Sequence, residues 1–384
     1  MKRKIVYCTP SLYIAGGVER VLTTKVNYLA ELTDKYDITI VLTDGFGKKP
    51  FYPLSNKITV INLNINFEEL WSLSFVKKIP AYLKKQRLYR KKLRKVLMEL
   101  KPDITVSTLR REINFINTIP DGSKKIGEMH INRQNFRNFE AEDTNLIKHL
   151  FSMWWSSNLV KKLKTLDCFV VLTEEDKLAW PELDNVIVIP NPLPQMPQTT
   201  SQLTEKRVIA VGRYTYQKGF DLLLQAWSRV EKDHPDWQLT VFGSGSKEEY
   251  LKMVIDLGID KKRCELCSAV ENIGAEYLNS SIFVFSSRFE GFGMVLLEAM
   301  SYGLAVVSFD CPCGPKDLID NYKNGILVEK NDTEQLANAI IKLIEDKKLQ
   351  TNLAKSAYEK AHLYDIRVIG KRWEQLFDGL ITNH

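Results

Sequence analysis

The sequence predicts an α/β protein built from two doubly wound, parallel-sheet domains. Three observations support this prediction. The 384 residues exceed what one hydrophobic core usually serves. Short β-branched runs alternate with helical patterns in both halves, and a proline-rich stretch separates the halves. The fractions of apolar and charged residues, 44% and 26%, are those of a globular protein.

In the first half, five β-branched runs predict strands, and the pattern after the first run predicts a helix. This helix begins near Gly17 and keeps Val18, Leu22 and Val26 on one face. The five runs are KIVYC (4–8), ITIVL (38–42), ITVIN (58–62), ITVST (104–108) and CFVVL (168–172).

The second half repeats the scheme. Its predicted strands are VIAVG (208–212), QLTVF (238–242), IFVFS (282–286), AVVS (305–308) and GILV (325–328). Helical patterns lie around 219–233, 246–257, 294–302 and 333–345. Ligands of such sheets bind at the carboxyl ends of the strands, and two facing sheets form a cleft between domains.

The stretch VIVIPNPLPQMPQTTSQLTEK, 186–206, separates the halves and reads as a linker. The predicted first domain covers 1–190, the linker 191–206 and the second domain 207–363. A final segment, 364–384, has helical spacing around Trp373.

The charge is unevenly distributed. The whole chain has a net charge of +7; residues 1–195 hold 31 lysines and arginines against 21 acids, so the rest is net negative. No apolar run reaches the roughly 18 residues of a spanning helix, and the N-terminus shows no signal segment, so we expect a cytoplasmic protein. The six cysteines favour free thiols over a four-thiolate zinc site, because C-x-x-C with C-x-C is a poor zinc pattern.

Two loops after predicted strands carry residues suited to an anion. Gly16 and Gly17 open the first helix, where backbone amides can approach an anion. The alternative is that these glycines only form a turn, as glycine commonly does. Arg213 follows a strand directly, and Lys218 stands at the mouth of the next helix. A guanidinium fork and an ammonium group at one spot suit a diphosphate; the alternative is two solvated surface cations.

The segment SSRFEGFGMVLLEAMSYG, 286–303, places Glu290 and Glu298 on one strand-to-helix crossover. Gly291 and Gly293 lie in the turn, where backbone comes close to a neighbour. An acid near a helix start can be a dipole partner worth under about 1 kcal/mol. A carboxylate also accepts two hydroxyl hydrogen bonds, so two of them suit a ribose and a hexose.

His130 follows a strand-like run of the first domain, KKIGEM, 124–129. A lone histidine is more often structural or exposed. Its position at the end of a strand, on the side where ligands bind, favours a functional role.

Together these residues resemble the family 4 retaining glycosyltransferases of the GT-B fold, over essentially the whole chain. Glu290 and Glu298 reproduce the E-x7-E signature of that family. The other motifs are GGVER (16–20), GRYTYQKGFDLLLQAW (212–227), VENI (270–273), SSRFEGFGMVLLEAMSYGLAVVSFDCPCGPKDLI (286–319) and NGILV (324–328). The resemblance implies two domains facing across a cleft, with the helix in 364–384 returning to the first, acceptor-binding domain.

The resemblance further implies a nucleotide sugar in the second domain. Glu298 would hold the ribose hydroxyls and Glu290 those of the donor sugar. Arg213 and Lys218 would stabilise the departing diphosphate, and His130 resembles the family histidine near the donor sugar. Glu290, His130, Arg213 and Lys218 are thus the catalytic candidates. Other implied donor contacts are the backbone around Phe292, Gly293, Met294 and Val295, the main chain at Val270 beside the base, and the Gly16–Gly17 loop on the diphosphate.

The implied reaction transfers a hexose or N-acetylhexosamine with retention at the anomeric carbon. We expect no cofactor, because the nucleotide sugar is a substrate, and no metal, because the sequence has no D-x-D motif. UDP is the expected nucleotide and GDP the alternative. The expected acceptor is a lipid-linked or glycan acceptor in the synthesis of a surface polysaccharide, a lipopolysaccharide or a glycolipid.

Ten lysines and arginines lie between Trp71 and Met98 without a single acid. They alternate with apolar residues, which fits a basic amphipathic helix on an anionic membrane surface; a solvated helix face is the alternative. The expected membrane contacts are Lys84, Lys85, Arg87, Arg90, Lys91 and Arg94. We therefore expect peripheral attachment to the inner face of the membrane, and no nucleic-acid partner, since no such motif is present.

Three alternatives differ in kind. The chain could be a catalytically silent sugar-nucleotide-binding partner, which intact Glu290, Glu298, Arg213 and Lys218 disfavour. It could be a GT-B enzyme with a small soluble acceptor, as in sucrose-type synthesis, or a sugar-nucleotide epimerase. A dinucleotide dehydrogenase is excluded because no G-x-G-x-x-G follows the first strand.

Overall fold

A computed structural model of the protein describes residues 2–133 and 157–382. The chain divides into two compact units. The first comprises Met1–Pro194 and Ile366–His384, and the second Gln195–Asp365. Each unit is built on one parallel sheet flanked by helices, so the predicted fold class, two doubly wound α/β domains, is confirmed. The predicted linker is shared: 191–194 belong to the first unit and 195–206 to the second.

The first unit contains a seven-stranded parallel sheet of order β3-β2-β1-β4-β5-β6-β7. Its strands are β1 (Arg3–Thr9), β2 (Tyr36–Leu42), β3 (Thr59–Asn62), β4 (Ile104–Ser107), β5 (Lys124–Glu128), β6 (Cys168–Val171) and β7 (Val186–Val188). Its helices are α1 (Gly17–Glu31), α2 (Phe75–Leu100), α3 (157–164 in its described part), α4 (Glu174–Leu178) and, from the end of the chain, α12 (Ile366–Thr382).

The central strand β1 is apolar because both faces of the sheet are covered. Ile5 pairs with Ile38 on one side and with Ile104 on the other. On one face, α1 and α12 bury apolar side chains that include Leu22 and Trp373. On the opposite face, α2 buries Tyr89, Leu93 and Leu97.

The second unit contains a six-stranded parallel sheet of order β10-β9-β8-β11-β12-β13. Its strands are β8 (Arg207–Val211), β9 (Gln238–Gly243), β10 (Cys264–Ser268), β11 (Ile282–Phe285), β12 (Ala305–Phe309) and β13 (Ile326–Val328). Its helices are α5 (Phe220–Asp233), α6 (Glu248–Asp256), α7 (Ile273–Leu278), α8 (Met294–Ser301), α9 (Pro315–Leu318), α10 (Thr333–Glu345) and α11 (Lys347–Ala361).

In the second sheet the order of the strands reverses between β8 and β11. Val208 of β8 pairs with Leu239 of β9 on one side and with Ile282 of β11 on the other. Successive connections therefore leave toward opposite sides at this point and open a crevice at the carboxyl ends of these two strands. The loops that follow β8 and β11 carry Lys218 and Glu290.

The structure corrects the sequence reading at two strands. Val186–Val188, read as part of the linker, is β7, the edge strand of the first sheet, paired with β6. Cys264–Ser268, not predicted at all, is β10, the edge strand of the second sheet, paired with β9. Both strands are short and lie next to prolines or polar residues, which weakens their sequence signal.

Within 2–133 and 157–382, no helix combines the length and the apolar character needed to cross a bilayer.

Candidate active site

Lys218 and Glu290 form the centre of the candidate site in the second unit. The Lys218 Nζ lies 2.6 Å from the Glu290 Oε1. Both side chains are mostly removed from solvent, with 14% and 9% of their surface exposed. The ammonium also lies 5.3 Å from the centre of the Phe285 ring. A charge pair in such surroundings interacts more strongly than one in water.

Backbone contacts fix the loop that carries Lys218. The Ser286 Oγ donates to the Lys218 carbonyl oxygen at 2.9 Å. Gly219 follows in the left-handed region, with φ of +61°, and a Cβ there would lie 2.1 Å from the Ser286 carbonyl oxygen. Only glycine combines this φ with so close an approach. The Gln217 Nε2 ties the same loop to the Phe289 carbonyl oxygen at 3.0 Å.

Arg288 holds the two loops together and was missed in the sequence. Its guanidinium donates to both carboxylate oxygens of Asp221, at 2.8 and 2.5 Å, and to the carbonyl oxygen of Tyr216 at 2.8 Å. The hydrogen-bonded Asp221 carboxylate raises the pKa of Arg288. Its place between β11 and Glu290 was a possible signal, but the partner on α5 is not evident from the sequence.

The N-terminus of α8 lies directly after Glu290 in the chain. Gly293 caps it at φ of +91° without a side-chain hydrogen bond, so the first amides of the helix, at Met294 and Val295, lack intrahelical partners. The loop after β12 crosses this turn closely, because a Cβ on Gly314 would lie 2.1 Å from the Phe292 carbonyl oxygen. A turn of this kind suits an anion.

Glu298 lies in the second turn of α8, where it is only 5% exposed. Two other predicted donor contacts are exposed: Arg213 directly after β8 and Val270 before α7. No ion pair joins the Arg213 guanidinium to any residue in 2–133 or 157–382. The structure therefore brings Lys218 and Glu290 into direct contact and gives no hydrogen bond or ion pair between this pair and Arg213 or Val270.

Cys311, next to this site, is not part of a disulfide. Burial, and then the charge of Glu290, raise the pKa of the Cys311 thiol well above its ordinary range. Among the residues that the structure describes, no three His, Cys, Asp or Glu side chains form a group that could hold a metal ion.

In the first unit, α1 begins at Gly17 with Gly16 as its N-cap, as predicted, and the Glu19 carboxylate lies beside Gly16. The Glu19 Oε2 is 2.0 Å from the position that a Cβ on Gly16 would take. Burial raises the pKa of Glu19, as expected for a carboxylate withdrawn from water. The Gly16 amide donates to the Ile14 carbonyl oxygen at 2.9 Å, so Gly17 is the one of the two glycines whose surroundings stay open.

His130 lies just beyond β5 beside a second acid that the sequence reading missed. Its Nε2 is 3.5 Å from the Glu128 Oε1, and its side chain is 6% exposed. Burial lowers the pKa of His130 to about 4, a direction that Glu128 opposes and that Lys25 and Arg110 reinforce. The imidazole is therefore neutral at physiological pH.

A cavity of about 530 Å³ opens at the carboxyl ends of the first sheet. Its lining combines carboxylates, aromatic rings and two arginines, and these are Asp44, Glu68, Tyr13, Trp71, Arg110 and Arg111. The Glu68 backbone amide donates to the Asp44 Oδ1 at 3.1 Å, and the Arg111 guanidinium lies 3.6 Å from the Asp44 carboxylate. Carboxylates beside aromatic rings suit a sugar, with hydroxyls on the former and apolar faces on the latter.

The predicted membrane contacts of α2 divide into two groups. Lys84, Arg87, Arg90, Lys91 and Arg94 are exposed. Lys85 is half-buried and donates to Glu69 at 2.9 Å and to the Ile65 carbonyl oxygen at 2.5 Å, and the Arg90 guanidinium donates to the Thr118 hydroxyl at 3.2 Å. The Lys85 side chain thus joins α2 to the preceding segment, and the membrane contact predicted for it stays a prediction.

Exposed apolar side chains accompany these cations near the start of α2. Trp71, Val76, Ile79 and Leu83 are each at least half exposed. The described part of this helix thus has a buried face toward the sheet and an outer face that mixes apolar and basic side chains.

Comparison with known proteins agrees with this architecture. Residues 194–360 match the family described as glycosyl transferases group 1. The chain is 29% identical to an uncharacterized glycosyltransferase of Haemophilus influenzae, over 97% of this chain and 99% of the relative. It is 27% identical to the amylovoran biosynthesis glycosyltransferase AmsD of Erwinia amylovora, over 95% and 96%.

Among solved structures, S. aureus TarM in a complex that includes UDP superposes with a TM-score of 0.76, at 16% identity, over 98% of this chain and all of TarM. At this identity the likeness concerns the fold.

Proposed function

We propose, starting from the group 1 glycosyl transferase match of residues 194–360, that the chain is a retaining, metal-independent glycosyltransferase. It would transfer a hexose or N-acetylhexosamine from a UDP-sugar to a lipid-linked or glycan acceptor during surface glycan or glycolipid synthesis. The observation that carries this proposal is the buried Lys218–Glu290 pair at the point where the strand order of the second sheet reverses. The UDP in the TarM complex supports the choice of nucleotide.

The donor would lie along the turn between β11 and α8. Glu290 would accept hydrogen bonds from hydroxyls of the sugar, and Glu298 from those of the ribose, because a carboxylate accepts several at once. The α8 amides at Met294 and Val295 would approach the sugar and its phosphate. Val270, exposed before α7, would offer its main chain to the base.

Lys218 and Arg213 would act on the diphosphate as it leaves. The bond from the anomeric carbon to the phosphate oxygen breaks, a bond to the acceptor oxygen forms on the same face, and the acceptor proton passes to the departing phosphate. Negative charge grows on the diphosphate in the transition state, so fixed cations lower the barrier. Because Lys218 is already held by Glu290, it needs little reorganisation to do so.

The acceptor would enter the 530 Å³ cavity of the first unit. Asp44 and Glu68 would accept hydroxyl hydrogen bonds of an acceptor sugar, and the exposed Trp71 ring would cover its apolar face. The mixed apolar and basic outer face of α2 begins next to Trp71, which supports an acceptor whose sugar is attached to a lipid in an anionic membrane surface.

Release of nucleoside diphosphate from a panel of UDP- and GDP-sugars tests the proposal. With a lipid-linked glycan fraction as acceptor, we expect turnover of a UDP-sugar and a product whose anomeric configuration matches the donor by NMR. Lys218→Ala should lower kcat by about 100-fold or more, as expected for the loss of one fixed group that stabilises developing charge.

Lys206→Ala is the matched control, because Lys206 forms an exposed ion pair with Asp236 in the same unit and should keep full activity. A wild-type protein that binds UDP-sugar in calorimetry and turns over no donor would favour the silent binding partner. Turnover with a free monosaccharide or sugar phosphate as acceptor would instead favour a small soluble acceptor.

A further inference from the structure

A buried lysine and a buried glutamate lie behind His130. Lys25 on α1 and Glu128 at the end of β5 are 0% and 2% exposed, and the Lys25 ammonium donates to the Glu128 Oε2. The same ammonium lies 3.9 Å from the centre of the Trp373 ring of α12 and 5.2 Å from that of Tyr7. The charge pair, formed between α1 and β5, is therefore covered by rings of two further elements of the first unit, β1 and α12.

Such a pair contributes little to stability as a whole. Desolvation of both charges offsets most of their attraction, and a well-packed apolar pair of similar size would serve the fold as well. The fold therefore gives no sufficient reason for an ion pair at this place. The second carboxylate oxygen of Glu128 points to a different reason, because it faces His130.

The imidazole of His130 lies beside this oxygen. Its Nε2 lies 3.5 Å from the Glu128 Oε1, which a small rotation of the ring closes to a hydrogen bond. Neither ring nitrogen has a hydrogen-bond partner among the residues that the structure describes, although both are buried. A carboxylate can only accept here, so it selects the tautomer with the proton on Nε2.

We propose that Glu128 is a positioning residue that keeps the proton of His130 on Nε2, so that the Nδ1 lone pair, buried in this structure, accepts a hydrogen bond from a sugar hydroxyl once the bound sugar uncovers it. Lys25 is the second positioning residue, because its ammonium keeps Glu128 ionised. That the hydroxyl belongs to a sugar rests on the proposed glycosyltransferase function. The tautomer of His130 does not depend on that function.

The charges around the ring agree with this assignment. Although burial opposes it, the contacts of Glu128 with Lys25 and His130 hold the pKa of that carboxyl below its ordinary value. Lys25 and Arg110 also face His130 and, with burial, keep it neutral. A neutral imidazole beside an ionised carboxylate has one free lone pair, on the nitrogen that does not donate.

The decisive experiment is a nitrogen NMR spectrum of the full chain, which distinguishes protonated from unprotonated ring nitrogens. We expect His130 in the wild type to be neutral with the proton on Nε2, assigned by the loss of its signals in His130→Asn. Glu128→Gln should populate both tautomers, because a side-chain amide both donates and accepts. His234, in the second unit, is the internal control and should not change.

Because Glu128→Gln leaves Lys25 buried without its counter-charge, the double variant Lys25→Met with Glu128→Gln is the second test. It removes both charges, should fold, and should show the same mixture of tautomers. In transfer assays we expect kcat to fall about tenfold or more in both variants, with the KM for the donor changed less than about threefold, since the contacts proposed for the ribose and the base, at Glu298 and Val270, lie in the second unit.

A proton on Nδ1 in the wild type, or the same tautomer in all variants, would overturn the proposal. These spectra need no turnover. If the wild type transfers no sugar, the proposed function is wrong, and the tautomer is still decided by the spectra. If the wild type transfers sugar and has the expected tautomer, but both variants keep the wild-type kcat, the role assigned to Glu128 is wrong.

Discussion

Lys218 and Glu290 were assigned to different parts of a donor, one to the diphosphate and one to the sugar, yet they are partners of each other at 2.6 Å. A donor that binds both side chains must therefore either separate the Lys218 ammonium from the Glu290 carboxylate or bind to each of them while their ion pair stays intact. Removing either side chain leaves the other charge in a mostly buried site, which costs several kcal/mol. Activity lost in a single variant thus needs a folding control, for which a thermal unfolding curve of each variant suffices.

The pH dependence of stability reports on His130. The pKa of His130 is about 4 in the folded protein and about 6.5 in an unfolded chain, so the unfolded state binds more protons between these values. Stability is then complete above pH 6.5 and is lost as the pH falls toward 4. We expect unfolding by denaturant to show a loss on the order of 2–3 kcal/mol over this window, absent in His130→Asn.

Other groups titrate in the same window, which is why the variant is needed. Burial raises the pKa of Asp176 to about 6, and this group favours the folded state as the pH falls, with the opposite sign to His130. The difference between the wild type and His130→Asn removes Asp176 from the comparison. An identical pH profile for both proteins would contradict a neutral, buried His130.

Pairs of functional residues could be predicted from the sequence when the two residues lie close together along the chain. Glu290 and Glu298 are eight residues apart, and their spacing alone singled them out. Lys25 and Glu128 are 103 residues apart and meet because the Lys25 side chain of α1 reaches the end of β5, so no local pattern joins them. Arg288 is a similar case, because its partner Asp221 lies 67 residues away.

At the scale of elements, α2 serves two purposes along its 26 residues. Its C-terminal half packs Tyr89, Leu93 and Leu97 into the sheet, while its N-terminal half leaves Val76 and Ile79 exposed. The sequence predicted the basic amphipathic character but could not divide the cations, because the anchoring of Lys85 depends on the segment before the helix. The edge strands β7 and β10 were not predicted for a similar reason, because pairing with β6 and β9 defines them more than their own composition does.

Charge reversal on the outer face of α2 tests the membrane proposal. Arg87→Glu with Lys91→Glu should weaken binding to anionic vesicles about tenfold or more, because each basic residue near an anionic surface contributes about 1 kcal/mol. Co-sedimentation with phosphatidylglycerol vesicles and with neutral phosphatidylcholine vesicles measures it. The control is Lys261→Glu with Lys262→Glu, the same charge change on exposed residues of the second unit. Equal binding to both kinds of vesicle, or equal binding by both double variants, would leave α2 as a solvated face.

At the scale of the whole molecule, the first unit is discontinuous in sequence and the second is not. The sheet of the first unit is completed on one face by α12, where Trp373 and Phe377 are buried against residues of β1 and α1. A helix at 364–384 could be predicted from its spacing, but its packing partner followed only from the resemblance. Apolar periodicity shows that a helix has a buried face and does not show against what.

Truncation of Trp373 should therefore act on the first unit alone. We expect Trp373→Ala to destabilise it by about 3–5 kcal/mol, the usual cost of emptying a buried aromatic site. Hydrogen exchange followed by mass spectrometry should show faster exchange in β1 and α1 and no change in β8 and α5. Val368→Ala, an exposed position on the same helix, is the control. Equal acceleration in both units would mean that they unfold as one.

The backbone amide of Ile366, where the chain re-enters the first unit, donates to the carbonyl oxygen of Leu193, where it leaves, at 3.1 Å. The second unit is thus an insertion between two adjoining points of the first. During synthesis on the ribosome, residues 195–365 can fold to completion while α12 is still missing. The first unit is therefore completed after the second, and its apolar face around Leu22 stays exposed to solvent until α12 has been synthesised.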